Sequence, residues 1–113
     1  MRLRLCRADE IRKKRSRVFA LPDDRQMVVW RTRRGYVGME NRCPHAGAPL
    51  DGGRLKREEL TCLWHGWRFD LESGACLTPG GAPLTLIPLR IEEGDLIAEL
   101  PDTDTDQPTG NPS

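Results

Sequence analysis

Apolar and polar positions alternate near both ends of the chain and lose that rhythm in the middle. Leu3 and Leu5, then Val18, Phe19 and Leu21, are spaced as in short, half-buried strands. Ala8-Asp9-Glu10-Ile11 between them suits one helical turn, and Pro22-Asp23-Asp24 is turn chemistry. Gln26-Met27-Val28-Val29-Trp30-Arg31-Thr32 is rich in β-branched and aromatic residues and predicts a strand. Arg33-Arg34-Gly35 turns it into a hairpin partner, Tyr36-Val37-Gly38-Met39-Glu40. Leu84–Ile91 and Asp95–Leu100 predict closing strands around a Glu92-Glu93-Gly94-Asp95 turn. Pro88 has no N–H for a ladder, so it marks an edge or a bulge.

The middle, about residues 43–82, is dense in Gly and Pro instead: Pro44, Gly47, Pro49, Gly52, Gly53, Gly66, Gly74, Pro79, Gly80 and Gly81. Such residues let loops bend sharply, so that backbone N–H groups approach sulfur closely. The chain of 113 residues has room for one small domain, and at 37% hydrophobic residues its core is modest. A bound metal would compensate, since metal binding adds folding free energy. Residues 101–113 hold no hydrophobic side chain beyond proline, so burial cannot offset their ordering entropy and a mobile tail is expected. No apolar run is long enough to span a bilayer, and the charges within Met1–Arg7 do not fit a signal peptide.

The chemistry sits in that middle segment. Cys43-Pro44-His45 and Cys62-Leu63-Trp64-His65 form a C-x-H and a C-x-x-H pair, with 16 residues between His45 and Cys62. Both histidines of the chain, and two of its four cysteines, are in this constellation. Two thiolates and two imidazoles suit a [2Fe–2S] centre in which His replaces Cys on one iron. The same four donors could hold structural zinc, although zinc fingers usually use other spacings. A chance meeting of two core cysteines with two histidines is the third possibility.

Flanking residues carry a resemblance. Cys43-Pro44-His45-Ala46-Gly47-Ala48-Pro49-Leu50 resembles the first cluster-binding loop of Rieske proteins, and Leu60-Thr61-Cys62-Leu63-Trp64-His65-Gly66-Trp67-Arg68-Phe69-Asp70 the second. Leu71–Cys76 is similar to the strand and turn that follow, and Gly80-Gly81-Ala82-Pro83-Leu84 to the Pro-containing loop that covers the cluster. Leu63 departs from the Pro often found there. The resemblance implies an all-β Rieske iron–sulfur fold over residues 1–100, an antiparallel sandwich or barrel base with a cluster-binding subdomain inserted at about 43–82. It further implies one [2Fe–2S] cluster, with Cys43 and Cys62 on the buried iron and His45 and His65 on the outer one.

High-potential members of this family carry an extra cysteine in each loop, joined by a disulfide, and a Ser and a Tyr whose hydroxyls bond cluster sulfur. The matching positions here are Ala48, Trp64, Trp67 and Phe69. Without the bridge or the hydroxyls the reduced state loses stabilisation, so the resemblance implies a low-potential, ferredoxin-type centre. Such a protein takes electrons from a flavin-dependent reductase and passes them to a terminal, ring-hydroxylating type oxygenase. A Rieske-like small subunit of an NADH-dependent nitrite reductase is the alternative, and a zinc-stabilised interaction module is a third.

No nucleophile or general base stands out beyond these ligands, so an electron carrier is expected rather than an enzyme. The formal net charge of +1 conceals eight basic side chains within residues 1–17. Their run Arg12-Lys13-Lys14-Arg15 has no interleaved aromatics and no nucleic-acid-binding motif, which leaves a solvated turn or a docking patch for a redox partner. Cys6 and Cys76 are expected as free, partly buried thiols in a cytoplasmic protein without membrane or nucleic-acid contacts.

Overall fold

The segment Gln26–Thr32 forms a strand buried on both faces, and that strand organises the molecule. The computed structural model describes residues 1–22, 24–44, 49–62 and 66–100. Its strands are β1 (Arg2–Arg7), β2 (Ser16–Ala20), β3 (Gln26–Thr32), β4 (Gly35–Glu40), β5 (Arg54–Lys56), β6 (Glu59–Thr61), β7 (Arg68–Asp70), β8 (Leu86–Ile87), β9 (Leu89–Glu92) and β10 (Asp95–Glu99). Every strand pairing is antiparallel. Three sheets result, ordered β1-β10-β9, β2-β3-β4-β8 and β5-β6-β7. The helical turn expected after β1 is a 3-10 turn at Ala8–Glu10.

Side chains alternate across a strand, so β3 feeds two cores. Met27 and Val29 pack with Cys6, Ile11, Leu21, Ile87, Leu96, Ala98 and Leu100. Val28 and Trp30 pack on the other face with Met39, Cys43, Leu50, Leu60, Cys62, Phe69, Leu71 and Leu84. The four-stranded sheet is therefore a middle layer, with the sheet of the chain ends on one side and β5-β6-β7 on the other. At about 1.5–3 kcal/mol per fully buried large apolar side chain, both interfaces matter to stability.

β4 and β8 are neighbours in the middle sheet, with Gly38 opposite Ile87 and Met39 opposite Leu86. The whole segment carrying β5, β6 and β7 is thus inserted between two paired strands. A Cβ on Gly38 would lie 2.9 Å from the Ile87 carbonyl oxygen, so only glycine permits this approach.

Pro88 does more than mark an edge. The expected continuous strand is split there: β8 pairs with β4, while β9 pairs with β10 in another sheet. Its carbonyl accepts the Glu99 N–H at 2.9 Å, so the crossover stays hydrogen-bonded. Between β9 and β10, Glu93 and Gly94 have φ of 50° and 86°, the left-handed pair of a primed hairpin turn. Asp23, and the tail at 101–113 for which mobility is expected, lie outside the described residues.

Candidate metal centre

Cys43 lies three residues beyond the end of β4 and Cys62 directly follows β6. Both are buried and belong to one core cluster, which also contains Trp30, Leu50, Leu60 and Phe69. Nineteen positions apart in the chain, the two thiols share one core because Leu60 of β6 packs with Val28, Trp30 and Met39 of the middle sheet. His45 and His65 lie outside the described residues, as do Ala48, Leu63 and Trp64.

The roots of both loops are tied. In the first, the Asn41 side chain accepts the N–H groups of Leu50 (2.7 Å) and Asp51 (3.0 Å) and donates to the Asp51 carboxylate at 3.0 Å. The Trp30 indole N–H donates to the Leu50 carbonyl at 3.3 Å. Asn41 thus closes the stretch from Arg42 to Pro49 across its base. In the second, the Cys62 N–H donates to the Trp67 carbonyl at 2.7 Å, and Gly66 takes φ 69°, which suits a residue without Cβ. The sequence reading does not include Asn41, and it gives Trp30 only as a strand residue. An Asn two positions before a C-x-H pair, able both to donate and to accept, was the available signal.

A third segment buttresses the second loop. Cys76 pairs with Phe69 as an isolated bridge, and its thiol points to the Thr78 carbonyl at 3.4 Å. A Cβ on Gly81 would come within 2.1 Å of the Cys76 sulfur and 2.7 Å of the Trp67 ring. The Gly80–Leu84 stretch therefore packs against Trp67, and the Leu84 N–H closes it onto the Gly74 carbonyl at 2.8 Å. Phe69 is fully buried among the cysteines' neighbours, with its ring 6.4 Å from that of Trp67. Neither ring carries a hydroxyl.

Cys6 and Cys76 are free thiols on opposite sides of the middle sheet. Burial pushes the Cys6 thiol pKa upward, with a smaller opposing pull from the Arg17 guanidinium. This thiol lies in the layer remote from Cys43 and Cys62.

Two buried thiols at tied loop roots, each with an imidazole two or three positions further along, are chemically suited to zinc or to a mixed Cys/His iron–sulfur cluster. Comparison with known proteins separates the two. The chain is 33% identical over 97 residues to oxidoreductase NdmD of Pseudomonas putida, covering 77% of this chain but only 16% of that protein. It is 28% identical over 98 residues to the ferredoxin component of the p-cumate 2,3-dioxygenase system of the same species, covering 85% and 83% of the two chains. Among solved structures, the ferredoxin of carbazole 1,9a-dioxygenase from Nocardioides aromaticivorans superposes with a TM-score of 0.77 at 25% identity, over 86% of this chain and 95% of that one. A putative NADH-dependent nitrite reductase small subunit from Mycobacterium tuberculosis shares the fold, with a TM-score of 0.77 at 21% identity over 87% and 93%. The family model described as the Rieske [2Fe-2S] domain matches residues 1–88. That family implies a [2Fe–2S] cluster, which two thiols buried in one core cluster fit; the chain belongs to the Rieske [2Fe-2S] domain family.

Proposed function

We propose that this protein is a Rieske ferredoxin, a carrier of one electron at a time from a flavin-dependent reductase to a terminal oxygenase of the ring-hydroxylating type. Cytoplasm is the compartment proposed with it. The observation that carries the proposal is the joint burial of Cys43 and Cys62 at the tied bases of two loops within one core. The similarity to the p-cumate system's ferredoxin over most of both chains supports it.

Cys43 and Cys62 would supply the two thiolates of the inner iron, and His45 and His65 the imidazoles of the outer one. When bound, the cluster supplies a one-electron couple. The protein's part is to hold the thiolates away from water and to fix the roots of both loops, so that little rearrangement there accompanies a change in charge. Asn41, the Trp30 indole and the Cys62–Trp67 bond do the tying. Trp67 and Phe69 surround the second loop with apolar surface and give no hydroxyl bond to sulfur, which keeps the potential low.

Metal and sulfide analysis of anaerobically purified protein tests this directly. The expected result is about two irons and two acid-labile sulfides per chain, with a Rieske EPR signal on reduction. One zinc without sulfide would overturn it. Electron transfer into nitrite reduction, but not into an oxygenase, would favour the nitrite reductase subunit instead.

A further inference from the structure

The two loop segments at the centre bear no charged side chain: Cys43–Leu50 and Cys62–Trp67 contain no Asp, Glu, Lys or Arg. Charge begins at their flanks with Arg42, Asp51 and Arg68, and in one cleft there it is mainly basic. A cleft beside the base of the first loop is lined by Lys14, Arg15 and Arg54 around Trp30, with Asp51 as its one carboxylate. The three basic side chains are exposed, and none makes an ion pair among the described residues. Elsewhere Arg2, Arg4, Arg7, Arg17, Arg25, Arg34, Arg68 and Arg90 are matched with carboxylates, while Arg12, Arg33, Arg42 and Arg57 also make no ion pair among the described residues but do not line this cleft.

This cleft is close to the centre. Arg54 pairs across the ladder with Thr61, the residue before Cys62, which puts the two Cα atoms within about 10 Å. Trp30, the cleft's floor, packs in the same core as both thiols and donates to Leu50. The basic turn is also held in place. The Lys14 N–H donates to the Arg31 carbonyl at 2.8 Å, the Arg31 N–H to the Arg15 carbonyl at 2.9 Å, and the Arg15 N–H to the Arg12 carbonyl at 3.0 Å. The run at residues 12–15 is thus an exposed turn, as expected, with its backbone fixed to β3 and Lys14 and Arg15 beside Asp51 and Gly53.

We infer that Lys14, Arg15 and Arg54 form the electrostatic half of the electron-transfer docking surface, and that the face of the redox protein meeting it is acidic. Carboxylates of the partner neutralise the unpaired cations beside the root of the first loop. Charge then sets encounter rate and orientation. The inference rests on the electron-carrier proposal, and iron and sulfide analysis of each sample keeps failure of that proposal distinguishable from failure of this one.

Small charged oxidants test the sign of the surface. In the step followed, one electron leaves the reduced cluster and hexacyanoferrate(III) becomes hexacyanoferrate(II). For the holoprotein this rate is expected to fall as salt rises, while the rate with cationic hexaammineruthenium(III) rises. Lys14→Glu with Arg54→Glu should slow the anionic oxidant about threefold to tenfold at low salt. Lys14→Arg with Arg54→Lys should keep the wild-type rate. Arg33→Glu with Arg57→Glu, in hairpin turns at the opposite ends of β4 and β6, should also leave it unchanged. A poly-L-glutamate peptide serves as the acidic probe: it should slow the hexacyanoferrate reaction and be captured by carbodiimide on Lys13 or Lys14 rather than Lys56, as mapped by mass spectrometry. A salt slope of zero or opposite sign, a rate indifferent to the Lys14 and Arg54 reversal, or capture at Lys56 would overturn the inference.

Discussion

The two cores on either side of β3 are built from the same strand and do different work. The core toward the chain ends joins Met27 and Val29 to Leu96, Ala98 and Ile87, and its one thiol, Cys6, is a small apolar filler. The core toward the insertion joins Val28 and Trp30 to Leu50, Leu60 and Phe69, and its two deeply buried thiols stand at the roots of loops. The first is closed by strand ladders, with the Tyr36 hydroxyl and the Arg31 guanidinium donating to the carbonyls of Ala8 and Ile11 at its edge. In the second, side-chain ties from Asn41 and Trp30 hold the root of the first loop. Burial therefore does not distinguish Cys6 from Cys43 and Cys62; position at a loop root does.

The sharpest way to break this comparison is to remove a thiol from each core. Cys43→Ser or Cys62→Ser should abolish the cluster and its visible spectrum and destabilise the fold. Cys6→Ser should keep the full iron content at a cost of about 1–3 kcal/mol for a buried hydroxyl, measured by denaturant unfolding. A full, unchanged spectrum in either of the first two variants would sink the ligand assignment.

Leu96→Ala, on the other core, should cost about 2–5 kcal/mol while leaving EPR signal and midpoint potential in place. A shifted potential would show that the two cores are coupled through the middle sheet.

A smaller effect is expected from Phe69→Tyr, buried on the cluster side. A new O–H···S bond worth about 1 kcal/mol would raise the midpoint by roughly 40 mV, starting from a wild-type value near the bottom of the Rieske range, about −150 to 0 mV. Protein-film voltammetry reads this directly; a wild-type midpoint well above about 100 mV would contradict the low-potential assignment.

The smallest effect concerns Cys6. Burial raises its pKa above the ordinary value of 9.0, so the folded state holds the thiol proton more tightly than the unfolded chain. The associated stability is complete below that pH and is lost as pH rises from there through the folded-state value. Cys6→Ala should flatten this part of the alkaline stability profile; a slope unchanged by the substitution would assign it to other groups.

Much of this was legible in the sequence. Gln26–Thr32 is a strand as its β-branched residues require, and the turn at 33–34 leads into its partner. The C-x-H and C-x-x-H pairs located the loops without any knowledge of the fold. The sheet β5-β6-β7 was not visible, since three-residue strands are too short to establish a period of two and take their register from tertiary contacts. The role of Pro88 was half visible: a missing donor says that a ladder ends, not that another sheet begins.

By itself the sequence determined which donors exist, that Ala48, Trp64, Trp67 and Phe69 carry neither thiol nor hydroxyl, and where regular strands give way to loops. These are local properties of residue type and spacing. Only the tertiary structure decided that β3 serves two cores, that Asn41 and the Trp30 indole tie the first loop, and that Lys14 and Arg15 line one cleft with Arg54. Those facts join residues far apart in the chain, and such pairings follow from how the sheets pack, which no local pattern encodes.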